Sequence, residues 1–123
     1  MSLLAIHAFL ELLRCERHLR NRDFRALHEK VRRCPVQDGS ATGARERVCR
    51  AVDLACIWYF KEVECLQRSV VTARLLRKHG IHARLVIGVR HVPFKAHAWV
   101  EVEGQVVNDK PYVTELYAIL DRC

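Results

Sequence analysis

Gly80 divides this chain into two stretches with different periodicities, and that division constrains the fold more than any other feature. Before it, apolar residues recur every three or four positions. They are Leu3, Ile6, Leu10 and Leu13; then Phe24, Leu27 and Val31; then Val48, Val52, Ala55 and Tyr59; then Leu66, Val70, Ala73 and Leu75 or Leu76. This spacing predicts four amphipathic helices, the first with one buried stripe. After Gly80 the period becomes β-type over 82–89, 96–103 and 105–109, and Glu103-Gly104 is a two-residue turn that joins the last two runs as a hairpin. Helices first and strands second predict an α+β fold, with the N-terminal helices packed on a small antiparallel sheet. A length of 123 residues suits one domain, 1–123, with a helical part over 1–60 and a Cys-to-Asp segment over 65–109.

Local signals set the boundaries. Asp23 can cap the second helix, and Pro35 restricts Cys34 and ends that helix near Arg33. The run from Pro35 to Gly43 is a loop, and His79-Gly80 supplies a cation and a C-cap glycine to the fourth helix. The tail, 111–123, is expected to hold a helical turn or two around Leu116 to Leu120. Trp99 and Phe94 read as core residues.

The composition excludes several classes. The opening MSLLAIHAFLELL has no basic start and no small-residue cleavage site, and the apolar run from Leu54 to Phe60 is too short for a bilayer. A cytoplasmic location without membrane insertion is expected. The six cysteines show no CxxC spacing, so most read as buried or inert thiols in a reducing compartment. His79, His82, His91 and His97 lack ligand spacing, so neither a metal nor a cofactor is expected. The net charge of +7 comes from Arg and Lys dotted along helices. With no glycine-rich loop, finger spacing or aromatic-basic interleave, it reads as solvated faces that also suit an acidic peptide, not as a nucleic-acid surface.

One cysteine differs from the others. Cys65 opens the fourth helix, where the partial positive charge and free backbone N–H groups favour a thiolate. Such a nucleophile needs a histidine base and a polar group that orients the imidazole, and His97 and Asp109 on the hairpin meet both needs. With Val102 facing Gln105, a regular hairpin sets His97 near Lys110 and puts Asp109 on the opposite face, so a bulge or twist near Asn108 is required. Taken singly, Cys65, His97 and Asp109 also fit a buried thiol, a strand histidine and a turn former before Pro111.

The segment Cys65-Leu66-Gln67-Arg68-Ser69, with Leu75-Leu76-Arg77, Gly80, Leu85-Val86-Ile87-Gly88-Val89, Phe94, Ala96-His97-Ala98-Trp99-Val100-Glu101, Gly104 and Val107-Asn108-Asp109, resembles the leader peptidases of lasso peptide biosynthesis. These are the transglutaminase-like C-terminal part of the B protein, and the chain looks like the stand-alone form from split systems. The resemblance implies a transglutaminase-like (papain-like) core and a cysteine endopeptidase with Cys65, His97 and Asp109 as its catalytic residues. Oxyanion donors are then the Cys65 backbone N–H and the side chains of Tyr59, Trp58 or Gln67. It implies as partners a precursor peptide, a small leader-recognition protein and an asparagine-synthetase-like cyclase. Arg68 and Ser69 fit the motif, but fit helix stabilisation or packing equally well. Two rival functions are an acyltransferase or transglutaminase with the same centre, and a non-catalytic precursor-binding scaffold.

Overall fold

The computed structural model describes residues 2–39 and 42–123; Met1 and the Ser40-Ala41 part of the expected loop lie outside them. The four helices expected before Gly80 form as α1 (Leu3–Arg20), α2 (Phe24–Arg32), α3 (Ala44–Trp58) and α4 (Cys65–Lys78). Ser2 and Asp23 cap α1 and α2 by accepting from the N–H groups of Ala5 and Ala26, which satisfies one otherwise free donor at each start. Gly80 ends α4 at φ +82°, a conformation open to glycine without strain.

Strands β1 (Ala83–His91), β2 (Phe94–Val102), β3 (Gln105–Val106) and β4 (Ala118–Arg122) form one sheet in the order β3-β2-β1-β4. All three pairings are antiparallel. This is an α+β fold with a four-stranded antiparallel sheet. Glu103 and Gly104 both take positive φ, which matches the twist of a tight hairpin. Helix α4 packs on β1 and β2 with one side and on α1, α2 and α3 with the others. Enclosure on several sides explains why Gln67, Ser69, Val70, Val71, Thr72, Ala73, Leu75 and Leu76 are all buried, rather than a single stripe.

Three expectations need correction. The buried face of α1 is Ala5, Ala8, Leu12 and Cys15, whereas Leu3, Ile6, Leu10 and Leu13 are exposed. The small Ala5 and Ala8 allow close helix approach, and Glu11 and Glu16 join the buried face because cations meet them there. The tail is helical only over α5 (Val113–Leu116). Leu120, expected in a helix, lies in β4, whose backbone pairs with β1. Trp99 is fully buried as expected, but Phe94 is 70% exposed because it sits at the tip of the β1–β2 hairpin.

Glu11 accepts from Arg74 at 3.1 Å and Lys78 at 3.2 Å, and Glu16 from Lys61 at 2.8 Å and the Tyr59 hydroxyl at 2.9 Å. Burial pushes both carboxyls up, but these partners outweigh it and hold both below the usual carboxylate range. A folded-state value below the unfolded one, about 4.3 for Glu, makes the contribution to stability full above that value. It is lost as pH falls through the folded values. Glu16→Gln is therefore expected to lower the urea midpoint at pH 7, and the gap to wild type should narrow as pH falls below about 4. A gap that is constant with pH would remove the linkage. Among the described residues, no helix is long and apolar enough to cross a membrane.

Candidate active site

Cys65 is the first residue of α4. Glu64 provides no side-chain cap there, so the N–H groups of the first turn remain available to an anion or to a developing oxyanion. The thiol is half-buried. Burial pushes the thiol of Cys15 up to about 11 and raises those of Cys49, Cys56 and Cys123. The latter four are thus poor thiolates. Cys34 is buried with its Sγ turned to the carbonyls of Pro35 and Arg74.

His97 lies on β2 opposite Gly88, and its Nε2 donates to Oδ2 of Asp109 at 2.5 Å. A carboxylate can only accept, so this bond fixes the proton on Nε2 and leaves the Nδ1 lone pair free. The ring stacks on Tyr117, with centroids 5.2 Å apart and planes 26° apart, and lies 6.0 Å from the Trp99 ring.

Asp109 reaches His97 because the ladder stops early. Glu101 pairs with Val106 and Val102 with Gln105, and the Val107 N–H still donates to Val100 O at 3.0 Å. Asn108 then replaces the next ladder bond with its side chain: Oδ1 accepts from the Val100 N–H at 2.7 Å. The backbone over 107–109 bends away, and Asp109 comes to the face of the sheet that carries His97. Asp109 also accepts from the Lys110 N–H through Oδ1 at 2.7 Å, which steadies its carboxylate.

Cys65 and His97 line one pocket of about 310 Å3 whose other walls are Phe24, Leu66, Ile87, Ala96 and Ala98. The structure joins His97 to Asp109 directly. It brings Cys65 and His97 to the same pocket without a hydrogen bond between thiol and ring. Strand alternation is the reason, since Ala98 faces α4 while His97 shares the opposite face with Trp99 and Tyr117.

The three side chains expected as oxyanion donors are engaged elsewhere or turned away. Gln67 lies two residues beyond Cys65, roughly 200° around the helix, and its Nε2 donates to Leu12 O at 2.9 Å. The Tyr59 hydroxyl donates to Glu16, and burial together with that carboxylate raises its pKa to about 12. Trp58 is 65% exposed at the end of α3 and does not line the pocket. Arg68 pairs with Asp53 on α3.

Tyr117 and Gly88 belong to this region and were not singled out from the sequence, and Asn108, expected there only as the place of a bulge or twist, contributes its side chain as well. A β-carbon on Gly88 would lie 2.7 Å from Trp99 Cη2 and 2.8 Å from Tyr117 Cβ. An isolated glycine in a strand is a sign of such close approach. Gly88→Ala is expected to destabilise the fold by about 1–3 kcal/mol and to lower any His97-dependent activity, because both clashing residues flank that ring. An unchanged melting temperature would contradict this packing.

A stretch of the chain is 46% identical over 57 residues to the Microcin J25-processing protein McjB of Escherichia coli; it spans 46% of this chain and 27% of that protein. No solved structure matches the chain. The transglutaminase-like superfamily matches over residues 9–121, nearly the whole length, and takes in α4, the strand that carries His97 and the bend that carries Asp109. The chain belongs to the transglutaminase-like superfamily.

Proposed function

We propose that this protein is a cysteine endopeptidase that removes the leader from a lasso peptide precursor, with Cys65 as nucleophile, His97 as base and Asp109 as the group that orients His97. The observation that carries this reading is the His97–Asp109 bond, which frees Nδ1, beside a pocket that also holds Cys65 at the start of α4. The likeness to a protein named for microcin processing supports the choice of substrate.

In this mechanism the Cys65 sulfur attacks the carbonyl carbon at the leader's end while Nδ1 of His97 takes the thiol proton. The oxyanion is met by the Cys65 N–H at the start of α4. His97 returns the proton to the departing amine, which leaves as the new N-terminus of the core peptide, and water then cleaves the thioester. Asp109 stabilises the imidazolium throughout. The reaction requires Sγ and Nδ1 to meet, so the proposal includes their closing on substrate binding; catalytic hydrogen bonds are often loose in the free enzyme. A leader-recognition protein would deliver the precursor, and a cyclase would consume the freed amine.

The pocket walls are almost wholly hydrocarbon, which suits an apolar side chain of the substrate beside the scissile bond. Ala96 is exposed on this wall. Ala96→Phe is expected to fill the pocket and lower kcat/KM by about 10- to 200-fold, with little change in melting temperature. Unaltered kinetics would mean that the substrate does not use this pocket.

The test of the function is incubation of a lasso precursor and leader-binding partner with the protein, with and without an added primary amine, followed by product masses. Release of free leader acid and core supports the peptidase. A leader joined to the amine in preference to water indicates an acyltransferase, and intact precursor throughout overturns both.

A further inference from the structure

Three residues adjacent to the proposed catalytic groups are tied to one another. Ser69 is one helical turn beyond Cys65 and on the same face of α4. It is buried, and its hydroxyl donates to Ala98 O, the carbonyl next to His97, at 3.1 Å. The same hydroxyl accepts from Asn108 Nδ2 at 3.1 Å. Asn108 immediately precedes Asp109, and its Oδ1 holds the Val100 N–H. The helix that carries the nucleophile, the strand that carries the base and the bend that carries the carboxylate thus share one side-chain junction.

We propose that Ser69 and Asn108 form a clamp that sets the position of α4 against the His97–Asp109 pair, making both of them positioning residues for the reaction. The assignment rests on the peptidase reading for its functional consequence, but its geometric content stands apart from that reading. The chemistry requires these residue types. Asn108 must accept from one neighbour and donate to another, which an amide does and a carboxylate does not. Ser69 must donate to one neighbour and accept from another at a buried position, and a hydroxyl does both. Each bond lies in a buried or half-buried setting, where an abandoned partner is costly and the arrangement is correspondingly well defined. Without Asn108 the bend over 107–109 loses the substitute ladder bond that turns Asp109 toward His97, while α4 loses its tie to that bend.

The test uses the full chain with Asn108→Ala, the milder Ser69→Ala and the double variant. One readout is the long-range 1H–15N spectrum of the His97 ring at alkaline pH, where the ring is neutral and the spectrum reports which nitrogen holds the proton. Wild type is expected to show the Nε2–H form alone, and Asn108→Ala a mixture of both forms. The second readout is precursor cleavage per folded molecule. Either single variant should lower kcat about 10- to 100-fold, with KM within about twofold. The double variant should be no worse than the poorer single one by more than about threefold, because the two residues act as a unit. A single Nε2–H form with wild-type kcat in Asn108→Ala overturns the clamp, as do losses that multiply in the double variant. If wild type cleaves no precursor, the ring spectrum decides alone, since it needs no substrate. A wild-type ring already mixed between forms then also overturns it.

Discussion

Replacing Cys65 with alanine is expected to lower leader cleavage by about 10³-fold or more while leaving the fold intact. The magnitude follows from the mechanism, since removal of the nucleophile of a covalent pathway leaves only the catalysis that binding and the oxyanion site supply. The fold should survive because Cys65 begins α4 at its half-buried end, whereas the side chains that hold that helix in the core lie from Gln67 onward. The check is single-turnover cleavage of the precursor alongside a urea melt. Normal cleavage by the alanine variant would return the protein to the role of a precursor-binding scaffold.

His97→Ala should cause a loss of similar size, and Asp109→Ala a smaller one of about 10²- to 10⁴-fold. The difference in rank has a structural cause. In the proposed mechanism His97 moves the proton itself, whereas Asp109 acts through His97 by accepting from Nε2. Asp109→Asn is the sharper probe. Its amide can turn a donor toward Nε2, which moves the ring proton to Nδ1 and removes the free lone pair, with little change of shape. Its loss should therefore equal or exceed that of the alanine variant. An asparagine variant with wild-type turnover would show that the carboxylate does not set the tautomer.

The parts of the site that follow from local rules were legible in the sequence. The change of period at Gly80 placed the helices before the sheet, and the resumed helical spacing at Cys65 placed that residue at a helix start. The Glu103-Gly104 turn fixed the hairpin register, with Val102 opposite Gln105. From that register came the conflict between His97 and Asp109, and with it the need for an irregularity at Asn108. How the irregularity is made was not legible, because it depends on a side chain that takes a backbone's place and on Ser69, which is distant in sequence.

The misreadings share a different cause. In α1 the leucines and isoleucine outnumber the residues that are buried, and a count of apolar positions therefore selects the wrong face. The buried face is chosen by fit and by ion pairing: Ala5 and Ala8 allow close approach, and Glu11 meets Arg74 and Lys78 from α4. Such partners become visible only once the helices are packed. Strand β4 shows the same limit, since all five of its residues are exposed and what places it is its backbone pairing with β1 together with the contacts of Asp121 with His28 and of Arg122 with Glu101. Tyr117 just before it stacks on His97, a contact that no periodicity in the tail announces. Gln67 and Tyr59 lie close to Cys65 in sequence, but the turn of the helix aims Gln67 at α1, and both are held in the buried cluster with Glu16.

The most direct measurement is the intact mass of the protein after rapid acid quenching of its reaction with precursor, followed by mapping of any adduct to a peptide. The expected result is a transient species heavier by the leader acyl group, attached to the peptide containing Cys65, absent in Cys65→Ala and longer-lived when His97 is replaced. Cleavage that proceeds with no acyl group on Cys65, or with the group on another residue, would contradict the mechanism.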